Sequence, residues 1–185
     1  LYLHGGPACP DSVLLNEWAP CLTDEYTIVA WDQRGCGNTY YRNKAKDPEN
    51  KTATFQQALK DLDALVDYLC EWLGSKKVII MGHSYGTLLG IQYVQKYPQK
   101  VSHYVGVSQL ISLKAGETVS YEKTCKILTD KGKDTEKLTA AYESYMQNVW
   151  AENMVRFRKQ VIPYLQLPKA RNTIVLGIMS PYLKV

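Results

Sequence analysis

The sequence has few histidines and lacks the cysteine spacing of a metal site. It contains 3 histidines and 5 cysteines in 185 residues, and no cysteine pair has the C-x-x-C spacing of zinc ligands or redox dithiols. An odd cysteine count leaves one thiol unpaired in any disulfide scheme, which disfavours a secreted, disulfide-stapled protein. We therefore expect no metal, no cofactor and a cytoplasmic location.

Long apolar stretches and runs of like charge are also absent. No segment reaches the roughly 20 apolar residues of a transmembrane helix, and the first residues lack the basic and apolar regions of a secretory signal. The net charge is +4, without the basic blocks that are typical of nucleic-acid-binding tails. We expect a soluble protein with neither a membrane nor a nucleic-acid partner, and the sequence leaves the oligomeric state open.

The most informative stretch is residues 82–86, which read Gly-His-Ser-Tyr-Gly. A mostly apolar run over 77–81 precedes it and a helical pattern over 87–97 follows, the strand-turn-helix order of a nucleophile elbow. The two glycines give a serine on such a sharp turn the room it needs. The turn also places a backbone N–H and a helix N-terminus beside the hydroxyl, where they stabilise negative charge on a substrate oxygen. The pattern predicts Ser84 as the nucleophile and the Tyr85 N–H as an oxyanion-hole donor.

A second glycine pair lies at residues 4–7, His-Gly-Gly-Pro, directly after an apolar strand end at residues 1–3. Paired glycines allow backbone N–H groups to approach a ligand closely. A plain tight turn has the same composition, but a loop upstream of a serine elbow is expected to supply the second oxyanion donor. We assign that donor to the Gly6 N–H, with the Gly5 N–H as the alternative.

The rest of the first 110 residues alternates strand and helix patterns. A polar turn contains Asp32 and Arg34, for which catalytic and structural roles are both open, and local charge pairing favours the structural one. A helix over 55–73, capped by Thr54 and ended by Gly74, has carboxylates on a face expected to lie in water. The other predicted elements are a short helix from residue 11 or 12, a strand over 26–31, a surface loop over 40–52 and a strand over 101–107. The alternation implies a parallel α/β sheet flanked by helices.

Beyond the last of these strands the pattern becomes helical. The predicted helical segments lie near 117–131, 135–149 and 151–166. Pro163 and Pro168 are expected to interrupt the third of them. We therefore predict two domains, a partial α/β core at 1–110 and a helical cap region at 111–185.

Three motifs, in this order, resemble the α/β-hydrolase superfamily. They are the glycine loop at 4–7, the turn Trp-Asp-Gln-Arg-Gly-Cys-Gly at 31–37, and the elbow at 82–86. The glycine loop together with Asp-Gln-Arg-Gly is similar to the proline iminopeptidase-like branch, whose members remove the N-terminal residue of a peptide with a serine nucleophile beneath a helical cap. The resemblance covers the predicted core and implies a small peptide as substrate.

The resemblance also has departures. The elbow has His83 and Tyr85 where that branch commonly has glycine and tryptophan, and Ala8 follows the first loop where glycine is usual. Asn38 and Thr39 replace the usual pair after the turn. These departures keep two alternatives open: a carboxylesterase or lipase-type hydrolase acting on an ester, and a non-catalytic binding module of the same fold.

The general base is missing from the pattern. In this fold the acid and the histidine follow the serine, yet the only later histidine is His103, which lies in a strand pattern with no carboxylate between it and Ser84. His4 and His83 belong to the two motif loops and are expected to be structural supports. The chain also begins directly in a strand, without methionine. We expect a fragment that is incomplete at both ends and nearly inactive by itself.

A peptidase of this type also requires a group that binds the cationic N-terminus of its substrate. Burying an unpaired ammonium is costly, so a carboxylate is the expected partner. Spacing alone does not show which glutamate of the predicted cap faces inward. The candidates are Glu117, Glu122, Glu136, Glu143 and Glu152.

Overall fold

The structure, a computed structural model, describes residues 1–149 and 151–165. The described residues form two compact units, one over residues 1–111 and one from residue 112 onward. The first unit contains the sheet and the three sequence motifs, and the second consists of helices. None of the described helices is both long and apolar enough to span a membrane.

Four parallel strands form the sheet of the first unit, in the order β2-β1-β3-β4. The strands are β1 (Tyr2–Leu3), β2 (Ala30–Trp31), β3 (Val78–His83) and β4 (Val101–Val107). Tyr2 of β1 is in register with Ala30 on one side and Met81 on the other. Because the strands are parallel, the loops that follow β1, β2 and β3 leave the sheet at the same edge, where α/β folds bind ligands. The predicted parallel α/β sheet is confirmed.

Helices α3 and α4 pack on this sheet. The helices of the first unit are α1 (Leu15–Trp18), α2 (Gly37–Asn43), α3 (Phe55–Leu73) and α4 (Tyr85–Lys96). The core includes Leu3, Leu62, Val66, Ile80, Leu89 and Tyr93, all fully buried. Helix α3 begins where predicted because Thr54 Oγ1 accepts the Gln57 N–H at 3.2 Å, and it ends at Gly74, whose φ of 62° suits glycine.

Three predicted elements differ in extent from the observed ones. The strand predicted over 26–31 is only two residues long, and its predicted first residue lies in a turn, where the Tyr26 N–H donates to the Leu22 carbonyl oxygen (2.9 Å). The loop predicted over 40–52 includes the second half of α2, a helix that buries no residue and therefore has no apolar periodicity. The helix predicted from residue 11 or 12 is broken into a 3₁₀ turn, the four-residue α1 and a second 3₁₀ turn that contains Pro20.

The expectation that the carboxylates of α3 lie in water is wrong for two of them. Asp61 accepts two hydrogen bonds from the Arg34 guanidinium, at 2.7 and 2.8 Å. Asp63 accepts one from Lys100 Nζ at 2.7 Å and one from the Tyr93 hydroxyl at 2.9 Å. Burial raises the pKa of the Asp63 carboxyl, but these hydrogen bonds outweigh burial and hold the pKa below its ordinary value. Charged side chains therefore tie α3 to the turn after β2 and to the segment before β4.

The second unit has its own apolar core. Its helices are α5 (Leu113–Asp130), α6 (Glu136–Gln147) and α7 (Ala151–Val161), followed by a 3₁₀ turn at Ile162–Tyr164. The core side chains are Leu128, Leu138, Ala141, Tyr145, Phe157 and Val161. The predicted helical character of this region is confirmed. Pro163 lies in the 3₁₀ turn directly after α7, and Pro168 lies outside the described residues.

Candidate active site

Ser84 occupies the turn between β3, which ends at His83, and α4, which begins at Tyr85. Its backbone has φ 51° and ψ −116°, a conformation that costs a residue other than glycine about 1–3 kcal/mol. The Ser84 N–H donates to the carbonyl oxygen of Val107, the last residue of β4, at 2.9 Å. The turn therefore has the strained strand-to-helix geometry that a nucleophile elbow requires.

The two glycines of the elbow lie where side chains do not fit. A Cβ at Gly82 would lie 2.6 Å from the carbonyl oxygen of Gly86. A Cβ at Gly86 would overlap the carbonyl oxygen of Leu3 in β1. Glycine at 82 allows the sharp turn itself, and glycine at 86 allows the elbow to pack closely on β1.

The glycine loop after β1 lies against the elbow. A Cβ at Gly5 would lie 3.3 Å from the Cβ of Ser84 and 3.2 Å from Nδ1 of His83. Gly6 has a φ of 122°, and a Cβ there would lie 2.7 Å from the backbone nitrogen of Ala8. The structure thus brings the loop that contains Gly5 and Gly6 to the predicted nucleophile, with Gly5 in direct contact.

Tyr85 is the first residue of α4, directly after the serine. Backbone N–H groups in the first turn of a helix have no acceptor within the helix, so the Tyr85 N–H is available to a ligand oxygen. The Tyr85 ring packs edge-to-face on Phe55, with ring centroids 6.2 Å apart. Burial raises the pKa of the Tyr85 phenol. The role of the Tyr85 N–H as an oxyanion-hole donor stays a prediction.

His4 connects the glycine loop to the turn after β2. The ring is buried, and its Nε2 accepts the backbone N–H of Gln33 at 3.2 Å. The ring proton therefore lies on Nδ1, which donates to the carbonyl oxygen of Gly5 at 2.8 Å. Cys36 Sγ lies 3.5 Å from the same Nε2, and burial raises the pKa of this thiol to about 11. Both ring nitrogens are occupied by the protein, which fits the predicted structural role.

The charges of the turn after β2 also have structural partners. Asp32 accepts hydrogen bonds from the Ser12 hydroxyl at 2.7 Å and from the Asn38 N–H at 2.9 Å. Arg34 forms its two-pronged ion pair with Asp61 of α3. These side chains are structural, as favoured from the sequence, although Arg34 pairs with a distant helix instead of a neighbour in the turn.

Sequence reasoning missed Thr87, which is completely buried in the first turn of α4. Its hydroxyl donates to the Ser84 carbonyl oxygen at 2.6 Å and accepts the Leu110 N–H at 2.9 Å. The one available signal was a hydroxyl residue directly after the elbow glycine, since threonine favours such hydrogen bonds at the start of a helix. Its second partner, 23 residues away, has no signature in the local sequence.

Within the described residues, no histidine or carboxylate is hydrogen-bonded to the Ser84 hydroxyl. His4 has the partners given above, and His103 lies in β4 opposite Ile79 with its side chain exposed. A cavity of about 250 Å³ in the first unit lies beside Trp31 and Arg34 and does not include Ser84 in its lining. Among residues 1–149 and 151–165, no three His, Cys, Asp or Glu side chains are grouped closely enough to hold a metal ion.

Of the five glutamates considered for amine binding, Glu117 alone is buried. Its Oε1 accepts a hydrogen bond from Nε of Arg158 at 2.7 Å and forms an ion pair with Nη2 of the same guanidinium at 2.5 Å. Glu122, Glu136, Glu143 and Glu152 are exposed. The buried carboxylate is thus already neutralised within the helical unit.

A family profile and several curated proteins match part of this chain. A profile of the alpha/beta hydrolase fold matches residues 1–122. "Probable aminopeptidase YbaC" of Bacillus subtilis (strain 168) is 29% identical over 131 residues, which are 71% of this chain and 40% of that protein. "Probable proline iminopeptidase" of Streptomyces coelicolor is 33% identical over 103 residues, 56% of this chain and 30% of that protein. "Proline iminopeptidase" of Neisseria gonorrhoeae is 33% identical over 105 residues, 57% of this chain and 30% of that protein.

The chain spans 30% to 40% of the length of these curated relatives. The profile match contains the whole described sheet, the glycine loop and the elbow. It extends over 122 of the 185 residues, well above half of the chain. The sheet order, the elbow and this match agree that the chain belongs to the α/β-hydrolase fold family.

Proposed function

We propose that the protein is a serine hydrolase in which Ser84 is the nucleophile. The observation that carries the proposal is the strained backbone of Ser84, with the glycine loop packed directly against it. Such strain persists only where the surrounding structure enforces it, and it clusters at functional sites. The names of the relatives, aminopeptidase and proline iminopeptidase, support hydrolysis of a peptide or related bond.

The proposed reaction is an acyl transfer in two stages. The Ser84 oxygen bonds to the carbonyl carbon of the scissile bond while its proton passes to a general base. The N–H groups of Tyr85 and Gly6, with Gly5 as the alternative, stabilise the oxyanion of the tetrahedral intermediate. Collapse of this intermediate breaks the bond to the leaving group, which takes the proton from the base. Water then attacks the acyl-enzyme with the same proton transfers, which releases the acid and restores the serine.

The general base and its acid partner belong, in this proposal, to parts of the protein outside this chain. His4 is occupied at both ring nitrogens, and His103 lies in a strand with an exposed side chain. Losing a member of the triad typically costs about four to six orders of magnitude in rate. We therefore expect the chain by itself to turn over substrate at a negligible rate.

Within this class we favour an aminopeptidase that removes the N-terminal residue of a small peptide, with the helical unit as part of a cap. The glycine loop, the Asp-Gln-Arg-Gly turn and the names of the relatives support this substrate. One observation favours an esterase instead. The buried glutamate of the helical unit is paired with Arg158, so it offers no free charge to a substrate ammonium.

A fluorophosphonate probe on the full-length protein tests the nucleophile. The serine oxygen bonds to phosphorus, fluoride leaves, and the hydroxyl proton passes to the base. We expect a single stoichiometric adduct, which peptide mass spectrometry locates at Ser84, and we expect no adduct in Ser84→Ala. Ser102→Ala is the matched control, because Ser102 is an exposed serine of β4. An adduct that persists in Ser84→Ala would refute the assignment.

The substrate class is tested with prolyl and alanyl arylamides and their N-acetylated counterparts. A buried carboxylate left without its cation carries a penalty of about 3–5 kcal/mol, so an aminopeptidase should prefer the free amine by a hundredfold or more in kcat/KM. Equal rates on the two substrates, or activity confined to short acyl esters, would favour the esterase.

A further inference from the structure

Thr87 makes two hydrogen bonds that together connect the elbow to the segment after β4. Its side chain is completely buried. The hydroxyl proton is donated to the Ser84 carbonyl oxygen at 2.6 Å, and the hydroxyl oxygen accepts the Leu110 N–H at 2.9 Å. The hydroxyl thus uses both its donor and one of its acceptor sites within the protein.

Local helix geometry accounts for only one of these two hydrogen bonds. The Ser84 carbonyl oxygen already accepts the backbone N–H of Thr87 at 2.9 Å, a 3₁₀-type bond in the first turn of α4. The hydroxyl adds a second hydrogen bond to the same oxygen. The bond to Leu110 spans 23 residues and lies outside the helix altogether. The Thr87 side chain therefore connects the first turn of α4 to a segment outside the helix.

Both sides of Ser84 are fixed to one segment through these contacts. The Ser84 N–H donates directly to the Val107 carbonyl oxygen at 2.9 Å. On the other side, the Ser84 carbonyl oxygen is linked through the Thr87 hydroxyl to Leu110. The segment from Val107 to Leu110 thus holds the strained residue from both directions. Without such contacts, a backbone at φ 51° would relax toward an ordinary conformation.

Tyr104 holds the same segment from the sheet. Its hydroxyl donates to Gln109 Oε1 at 2.6 Å and lies 3.2 Å from the Thr87 carbonyl oxygen. Gly106 gives Gln109 the space for this contact, since a Cβ at Gly106 would lie 2.5 Å from the same Oε1. The segment whose Leu110 N–H donates to the Thr87 hydroxyl is therefore itself anchored to β4.

We infer that Thr87 is a positioning residue, whose hydroxyl holds Ser84 at the angle required for attack by connecting its carbonyl oxygen to the Leu110 N–H. The inference rests on the proposed role of Ser84 as nucleophile. Thr87 acts through the backbone of Ser84 and takes no part in bond making. Its loss should therefore slow the chemical step more than it weakens substrate binding.

The test uses the full-length protein and four variants. Thr87→Val keeps the shape of the side chain and removes the hydroxyl, Thr87→Ala removes the hydroxyl without added bulk, and Thr87→Ser keeps the hydroxyl. Thr124→Val is the matched control, because Thr124 is also completely buried and its hydroxyl donates to a backbone carbonyl oxygen, that of Ser120, at 2.8 Å. The measurements are the rate constant of fluorophosphonate labelling, kcat and KM for an ester substrate, and the thermal unfolding midpoint.

We expect Thr87→Val and Thr87→Ala to lower the labelling rate and kcat by about 10- to 100-fold, the effect of a displacement of about 1 Å at the reacting atoms. KM should change less than about threefold, since the contacts that bind substrate are untouched. Thr87→Ser should stay within about threefold of the unaltered protein in labelling rate, kcat and KM, because it retains both hydrogen bonds. Thr124→Val should lower the unfolding midpoint and leave the labelling rate unchanged.

The outcomes separate this inference from the proposed function. An unaltered protein whose Ser84 does not react with the probe would refute the proposed function, and this inference with it. A reactive unaltered protein in which Thr87→Val labels as fast as Thr124→Val would refute this inference alone, as would Thr87→Ser being as slow as Thr87→Ala. Should Thr87→Val fail to fold, the comparison of Thr87→Ala with Thr87→Ser decides in the same way.

Discussion

The backbone strain at Ser84 predicts an unusual response to glycine. At φ 51° and ψ −116°, a side chain at this position costs about 1–3 kcal/mol relative to glycine. Ser84→Ala removes the hydroxyl and keeps the Cβ, whereas Ser84→Gly removes both. The difference between the two variants therefore isolates the energetic effect of the Cβ in the strained turn.

The expected difference is the released strain less the entropy that glycine adds to the unfolded chain. That entropy is worth about 0.4–1 kcal/mol, so Ser84→Gly should exceed Ser84→Ala in free energy of unfolding by about 0–2.5 kcal/mol, with a central value near 1. Ser108 also has a φ of 51°, and its glycine variant should likewise be at least as stable as its alanine variant. At Ser102, in β4, the glycine variant should be less stable by about 0.5–1 kcal/mol.

Urea unfolding of the full-length protein, followed by tryptophan fluorescence, measures these differences. Each glycine variant is compared with the alanine variant at the same position, so that the loss of the hydroxyl cancels. The difference in free energy of unfolding between the glycine and alanine variants should have the opposite sign at Ser84 and Ser108 to the one it has at Ser102. If Ser84→Gly were less stable than Ser84→Ala by as much as the Ser102 pair, the elbow would not be strained and the basis for choosing this serine would be lost.

Two ion pairs give further predictions. Lys100→Met should reduce the free energy of unfolding near neutral pH by about 1 kcal/mol. It should also weaken the loss of stability in acid, because the depressed pKa of Asp63 contributes stability that is present above about pH 4 and is lost as the pH falls through the folded-state pKa. Urea midpoints measured across that pH range would contradict this if the variant had the same pH profile as the unaltered protein. Arg158→Met should cost about 1–3 kcal/mol because it leaves the buried Glu117 carboxylate unpaired; this is below the value for a fully buried pair, since the Arg158 side chain is 42% exposed. Adding Glu117→Gln should restore part of that loss, and a double variant no more stable than the single one would oppose this reasoning.

The parts of the fold that follow short-range rules could be predicted from the sequence. The Thr54 cap and the Gly74 terminus of α3 depend on residues within one turn of each other. The predicted strand at 101–107 agrees with β4 at both ends because its three valines and its tyrosine favour a strand and turn residues bound the segment. The elbow is partly specified within its five residues, since a Cβ at Gly82 would meet the carbonyl oxygen of Gly86, whereas the need for glycine at 86 comes from Leu3 of β1.

The contacts that fix the elbow in space could not be predicted in the same way. Thr87 meets Leu110, and His4 meets Gln33, only because strands distant in sequence lie side by side in the sheet. Likewise, the sequence predicts Asp61 as a carboxylate in water, whereas in the structure Arg34 of the turn after β2 lies beside it. Periodicity identifies which face of a helix is apolar. It contains no information on which charged side chain of another element will lie opposite a polar side chain of that helix.

The charges of the helical unit bear directly on the choice between peptidase and esterase. An ammonium group in a site shielded from water needs a carboxylate whose charge is not already balanced. Glu117 fails this requirement, because Arg158 contributes a full positive charge at 2.5 Å, and the four exposed glutamates fail it by lying in water. None of these five glutamates therefore offers a buried carboxylate with an unbalanced charge. It follows that Glu117→Gln should leave the preference for free over acetylated arylamides unchanged. A preference that collapsed in this variant would show that Glu117 exchanges Arg158 for the substrate amine.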